Sequence, residues 1–308
     1  MKLRRSGRCM CVWAAVAAAA VPLVSGTAAA QTPNWGAQAI STIGDIRVGG
    51  GQSNFTFDAA GGAGIPVADT EIDDAVTLDA SGNGPWDRGD TRGFTGLTFA
   101  GNQVNPMRAE ANLSGNRSNE FRFGSFPAGA IADSGVFVSD LFQYTGPSAT
   151  TLALTYTLDG VLADPPTDLT ANALTVIAAD VAVFADTPDY DFVGDIGTLV
   201  FELGATLKGS GGVEAVDQST LVIDDDTAGQ SVQRTTTLRF DVVPGETFYV
   251  WQTLTAQAAF GTRSADAFST LRGTFDQPEH VRSLVPEPGS WLLLAAGAAL
   301  TLRCRAIR

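Results

Sequence analysis

Between residues 31 and 285 strand signals dominate: in several stretches apolar side chains recur at every second position, and none shows a convincing 3.6-residue period. In Thr151-Leu152-Ala153-Leu154-Thr155-Tyr156-Thr157-Leu158 the leucines and the tyrosine alternate with small or polar residues, as in a strand with one face buried. Leu199, Phe201 and Leu203 repeat the pattern, and so do Leu238, Phe240 and Val242. Residues 174–184 differ, because their apolar run is continuous and rich in Val and Ile. That reads as a strand buried on both faces or as two strands meeting at a bend. Residues 236–260 read as a hairpin around Val243-Pro244-Gly245-Glu246, whose Pro-Gly pair suits a type II turn. Gly-, Asn-, Asp- and Pro-rich clusters such as Gly49-Gly50-Gly51, Ser81-Gly82-Asn83-Gly84-Pro85 and Gly209-Ser210-Gly211-Gly212 punctuate the strands. The fold class expected is all-β, an antiparallel β-sandwich of jelly-roll or Ig-like type. Spacing is irregular before Gly146-Pro147 and regular after it, so a boundary there is one option, and long loops of a single sandwich the other.

Hydrophobic residues make up 44% of the 308-residue chain, enough to build a core, and charged residues only 17%, too few for a disordered polyelectrolyte. Seven of the 19 basic residues lie in the two end segments. Residues 31–285 therefore hold 12 cations against 32 acids, a net charge of −20. Such a surface repels nucleic acid and anionic lipid, and it attracts divalent cations. All three cysteines (Cys9, Cys11 and Cys304) also belong to the ends, which leaves the middle without a disulfide framework or a thiolate metal site.

The first 30 residues read as a signal peptide. Lys2, Arg4, Arg5 and Arg8 form a basic start, residues 12–24 an alanine-rich apolar stretch broken by Pro22, and Ala28-Ala29-Ala30 the small residues that place cleavage before Gln31. The other end has a different grammar. Val285-Pro286-Glu287-Pro288-Gly289-Ser290 leads into twelve mostly apolar residues from Trp291 to Leu302, then into Arg303, Cys304, Arg305 and Arg308. The prolines forbid regular structure, the apolar stretch enters a bilayer as a helix, and the arginines hold its end on the cytoplasmic side. Twelve residues at about 1.5 Å each span roughly 18 Å against a hydrocarbon core of about 30 Å, so a transient anchor fits better than a permanent one.

A Pro286-Glu287-Pro288 motif, an apolar stretch begun by Trp291 and an Arg303, Arg305 and Arg308 cluster at the extreme C-terminus together resemble the PEP-CTERM sorting signal. The resemblance covers about the last 24 residues. It implies recognition by an exosortase, a membrane-embedded transpeptidase-like enzyme, removal of the tail at or near the motif, and a Gram-negative host that makes exopolysaccharide. The segment from Val243 to Phe275 is also loosely similar to the last part of many PEP-CTERM ectodomains. The expected organisation is a signal peptide (1–30), a β-sandwich ectodomain (31–276), a spacer (277–285) and a sorting signal with a short transmembrane helix (286–308).

Histidine occurs once, at His280, which leaves no Ser-His-Asp or Cys-His device and no multi-histidine metal site. No glycine-rich loop has the spacing and Lys-Ser/Thr ending of a phosphate loop. Paired carboxylates for glycan cleavage stay open, because their spacing is a matter of space and not of sequence. No resident cofactor is expected, with calcium the one candidate. Asp186, Asp189, Asp191 and Asp195 crowd one Pro- and Gly-containing loop, and Asp224-Asp225-Asp226 follows a strand. Trp86 in a Gly-Pro-Trp-Asp-Arg-Gly-Asp loop and Trp251 in an alternating strand are candidates for stacking on sugar rings, with Trp35, Tyr190 and Tyr249 behind them.

The function expected is that of an exported, non-enzymatic cell-surface or matrix protein. Its partners would be signal peptidase, an exosortase, the inner membrane transiently and exopolysaccharide, and not nucleic acid. The alternatives are a carbohydrate- or calcium-binding adhesin module and a secreted glycan-cleaving enzyme.

Overall fold

The computed structural model describes residues 35–47, 55–65, 67–76, 87–96, 103–114, 122–123, 126–163, 175–186, 214–224, 229–259 and 263–285. Strands fill most of these stretches. In chain order they are β1 (Gly36–Arg47), β2 (Phe55–Ala63), β3 (Val67–Val76), β4 (Asp87–Gly96), β5 (Gln103–Ser114), β6 (Arg122–Phe123) and β7 (Phe126–Tyr144). There follow β8 (Thr150–Leu162), β9 (Val176–Phe184), β10 (Asp217–Ile223), β11 (Ser231–Val242), β12 (Thr247–Ala259), β13 (Arg263–Phe275) and β14 (Val281–Ser283). A 3-10 turn, Pro278–His280, precedes β14.

Two antiparallel sheets stack as a β-sandwich. Sheet A has the order β10-β9-β12-β7-β1-β2, with the short β14 and β6 also on β7, and sheet B the order β11-β8-β13-β5-β4-β3. Between them lies a buried core drawn from both, including Ile43, Val136, Val138, Leu254 and Val250 of sheet A and Leu152, Leu154, Leu158, Leu238 and Leu271 of sheet B. At one end four phenylalanines interlock across the gap. Phe142 and Phe248 of sheet A meet Phe275 and Phe240 of sheet B at centroid distances of 5.0 to 6.0 Å.

The outer faces of the sheets differ, and the sequence pattern follows that difference. Sheet B turns Thr151, Thr237, Arg239, Asp241, Arg272 and Thr274 to solvent, so β8 and β11 alternate apolar with polar. Along β7, β9 and β12 sheet A is buried on its outer face as well. There Phe137, Ala182, Phe184 and Trp251 form a second cluster separate from the inter-sheet core. That is why residues 174–184 carry no alternation: β9 is one strand, Val176–Phe184, buried at every position.

Two expectations need correction. The strands and turn of residues 236–260 exist, with Glu246 N–H donating to the Val243 carbonyl at 3.0 Å and Gly245 at φ +87°, where a side chain would be strained. The strands do not pair with each other, however, because β11 pairs with β8 in sheet B while β12 pairs with β7 and β9 in sheet A. The turn is an arch between sheets. Alternation reports which side of a strand is buried, and the inward side chains of β11 and β12 face each other across the core whether the strands are bonded or stacked.

The second correction concerns 277–285, expected as a spacer. His280 accepts from Thr145 N–H at 2.7 Å, β14 pairs with β7 from Val281↔Tyr144 to Ser283↔Phe142, and Leu284 N–H donates to Leu141 at 2.9 Å. Val281 and Val285 are buried, so the fold runs on to Val285. Three paired residues are too short a run for a periodicity to register. Gly146-Pro147 lies in the connection that carries the chain from β7 in sheet A to β8 in sheet B. The strand expected around Leu199, Phe201 and Leu203 lies outside the described residues.

Candidate functional site

The residues singled out by the sequence fall into two groups. Ala28, Ala30 and Gln31 at the expected signal cleavage, Pro286, Glu287 and Pro288 of the motif, and Trp291, Arg303, Arg305 and Arg308 of the tail lie outside the described residues, as do Trp86, Tyr190, Asp189, Asp191 and Asp195. Asp186 is exposed just beyond the end of β9, and Asp224 is exposed just beyond β10. Among the described residues no three His, Cys, Asp or Glu side chains gather as a metal site, and no helix is long and apolar enough to cross a membrane.

Trp251 is fully buried, edge-on to Phe137 at 5.5 Å and tilted against Phe184 at 4.8 Å. Its ring has no solvent exposure, so it offers no platform for a sugar. Its neighbour Tyr249 is half-buried against the same cluster, and Trp35 packs on the inter-sheet core. Alternation left open which face of β12 was outward, and burial of both sheet faces removes the choice.

The sandwich instead carries polar groups that the pattern did not flag. Tyr156 of β8 and Gln252 of β12 are wholly buried between the sheets, and neither the Tyr156 hydroxyl nor the Gln252 amide has a hydrogen-bond partner. Asp140 of β7 lies diagonally from Gln252, since Asp140 is opposite Val250 and Gln252 opposite Val138. Burial, and after it the charge of Asp140, drives the Tyr156 phenol well above its usual range. Room for that ring comes from Gly273, where a Cβ would stand 2.8 Å from Tyr156 Cε1 and 3.0 Å from Val104 Cβ.

On the outer face of sheet A, Asp133 stands in a row with Thr42 of β1 and Gln257 of β12, all buried. Burial raises its carboxyl from 3.8 to about 7, with the Gln257 side chain pulling weakly the other way. That amide lies beyond normal hydrogen-bond geometry, and neither carboxyl oxygen has a partner within it. Asp180 of β9 shares this face. Burial raises its pKa too, opposed by the hydroxyl of Thr220, which donates to Oδ1. The register sets Asp133 opposite Gln257 and Asp180 opposite Thr253. Two strands across and four residues along put the two carboxyls roughly 16 Å apart. That is too far for the pair of carboxylates that cleaves a glycoside.

Polar residues inside otherwise apolar runs are the signal that marks these groups in the sequence: Asp133 and Asp140 within β7, Asp180 within β9. Asp133 and Asp180 stand apart on the outer face, whereas Asp140 acts on Tyr156 between the sheets. The C-terminal motif follows directly on the described strands. The buried Val285, its N–H bonded to Ser283 Oγ at 3.2 Å, is followed at once by Pro286. No protein-family model matches this chain, and comparison with curated proteins likewise gives no match.

Proposed function

We propose that this chain is an exported, non-enzymatic protein of the cell surface or extracellular matrix, sorted by an exosortase through its PEP-CTERM-like tail and associated with exopolysaccharide. The observation that carries the reading is the order at the C-terminus: Pro286-Glu287-Pro288, then the twelve-residue apolar stretch from Trp291 to Leu302, then Arg303, Arg305 and Arg308. Support comes from the last described residue, Val285, which is buried and directly precedes the motif. The signal peptide places the sandwich outside the cytoplasm, and the tail holds it briefly at the inner membrane until it is cut. Within the sandwich class we favour the jelly-roll type, because every step of the chain from β7 to β13 except β9 to β10 changes sheet. The carbohydrate-binding alternative loses Trp251 as a stacking surface and rests on Trp86.

Mass spectrometry of the mature protein from its host tests the reading. The expected product begins at Gln31 and ends near Pro288; an intact C-terminus at Arg308 overturns the sorting claim.

A further inference from the structure

β7 has two flanks. One is filled by β12, which pairs with it from Thr247↔Gln143 to Ala259↔Ile131. The other is shared end to end by two strands running in the same direction. β14 pairs with residues 142–144, and β1 takes over at Gly36↔Ser139 and continues to Arg47↔Ala128. Leu284 N–H still bonds to Leu141. The place where the fold begins and the place where it ends are therefore two residues apart along β7, about 7 Å.

Holding the last stretch in place are the His280 carbonyl, which accepts from Thr145 N–H at 2.7 Å and from Thr145 Oγ1 at 3.1 Å, the Leu284–Leu141 bond at 2.9 Å, and the buried side chains of Val281 and Val285. Peptidases take their substrates as extended strands bonded on both sides of the scissile bond. Here the residues just before Pro286 are already bonded to β7 and packed into the core. While β14 is seated, no enzyme can lay 282–285 in its own cleft.

We propose that β14 with Leu284 and Val285 is a detachable strap, and that its release from β7 is the step that admits the tail motif to the enzyme that cuts it. The inference rests on the sorting reading above. Cleavage itself is ordinary peptide-bond chemistry: the scissile carbonyl carbon passes to the enzyme's nucleophile, and the amine takes a proton and leaves with the tail. The strap governs only access. It is suited to open alone because it is three residues long, lies off the main order of sheet A, and ends the described chain, so that its release leaves every pairing of β1, β7 and β12 intact. Folding and processing are thereby coupled. A seated strap marks a completed sandwich and slows its release from the membrane.

The test staples the strap in the full chain expressed in its host. Arg282 and Gln143 are opposed across the β14–β7 pair, on the surface, so R282C with Q143C places two thiols for a disulfide with no change to the core. Tail removal in the double variant should fall about tenfold or more relative to either single-cysteine variant, read as the ratio of trimmed to untrimmed chain. Inserting a flexible Gly-Ser segment of about six residues between Val285 and Pro286 moves the motif clear of the fold. It should return the stapled chain to the unstapled rate and speed trimming of the natural one. If the staple changes nothing, or if the insertion changes nothing in either background, the strap is overturned while sorting stands. If the natural chain is never trimmed, the sorting reading itself falls.

Discussion

Asp133 is the residue whose environment departs furthest from what its neighbours in the sequence suggest, and its chemistry makes a definite claim about stability. Its folded pKa, about 7, lies above the ordinary 3.8, so between those values the native state holds a proton that the unfolded chain has lost. The stabilisation linked to that proton is complete below about pH 4 and is lost as pH rises to about 7, at about 1.4 kcal/mol per unit or roughly 4 kcal/mol in all. Asp180 acts in the same direction. Urea unfolding at pH 5 and pH 8 should show the natural protein weaker at pH 8 and Asp133→Asn with a clearly smaller difference, the remainder belonging to Asp180; equal pH dependence in both proteins refutes the assignment. The two buried tyrosines form a second, paired case. Tyr144 donates its hydroxyl to the Ser148 carbonyl at 3.0 Å, whereas the Tyr156 hydroxyl has no partner. Removing the first oxygen should cost about 1 kcal/mol, and removing the second should be neutral or stabilising. Tyr144→Phe and Tyr156→Phe compared by chemical denaturation decide it, and the reverse ranking would contradict the hydrogen-bond account.

At the scale of elements, the sequence disclosed strands more readily than sheets. The alternation in β8 and β11, the continuous run of β9 and the Pro-Gly turn at Gly245 were all legible, because each is a local consequence of which side of a strand is covered. Sheet membership was not, since β11 and β12 present the same pattern whether they share hydrogen bonds or face each other through Phe240 and Phe248 at 5.0 Å. The outward or inward sense of Trp251 failed for a related reason: a sheet with two buried faces erases the polar side on which the judgement depends. β14 was invisible because its anchoring is spread over backbone bonds and two valines in nine residues. Its consequence can be measured directly. Ending the chain after Asp276 removes nothing if 277–285 is a spacer. With Val281 and Val285 in the core, the truncation should instead lower stability by roughly 2–5 kcal/mol, the order expected for two apolar side chains and their associated backbone bonds. Unchanged denaturation midpoints for chains ending at Asp276 and at Val285 would return the segment to the role of linker.

The whole molecule is knit from ends that are far apart in sequence. β7, before Gly146-Pro147, is bonded to β1 on one side and to β12 on the other, and β5, also before it, is bonded to β13. β8, the first strand after it, is bonded to β13 and β11. A cut at this position therefore leaves each half with interior strands that have lost a neighbour, and sheet A's central β7–β12 pair is split between the pieces. Such non-local pairing also predicts slow folding, because the N-terminal strands wait for the last third of the chain before their hydrogen bonds close. If the chain is exported as proposed above, the sandwich closes only after β12 and β13 have crossed the membrane, with β14 following them. Chains comprising 32–146 and 147–285 should each lack a cooperative unfolding transition when made separately, and should regain the full sandwich spectrum and the buried Trp251 fluorescence when mixed. If either piece unfolds cooperatively by itself, the irregular first half and the regular second half are separate domains after all, and the interleaved topology does not describe the protein.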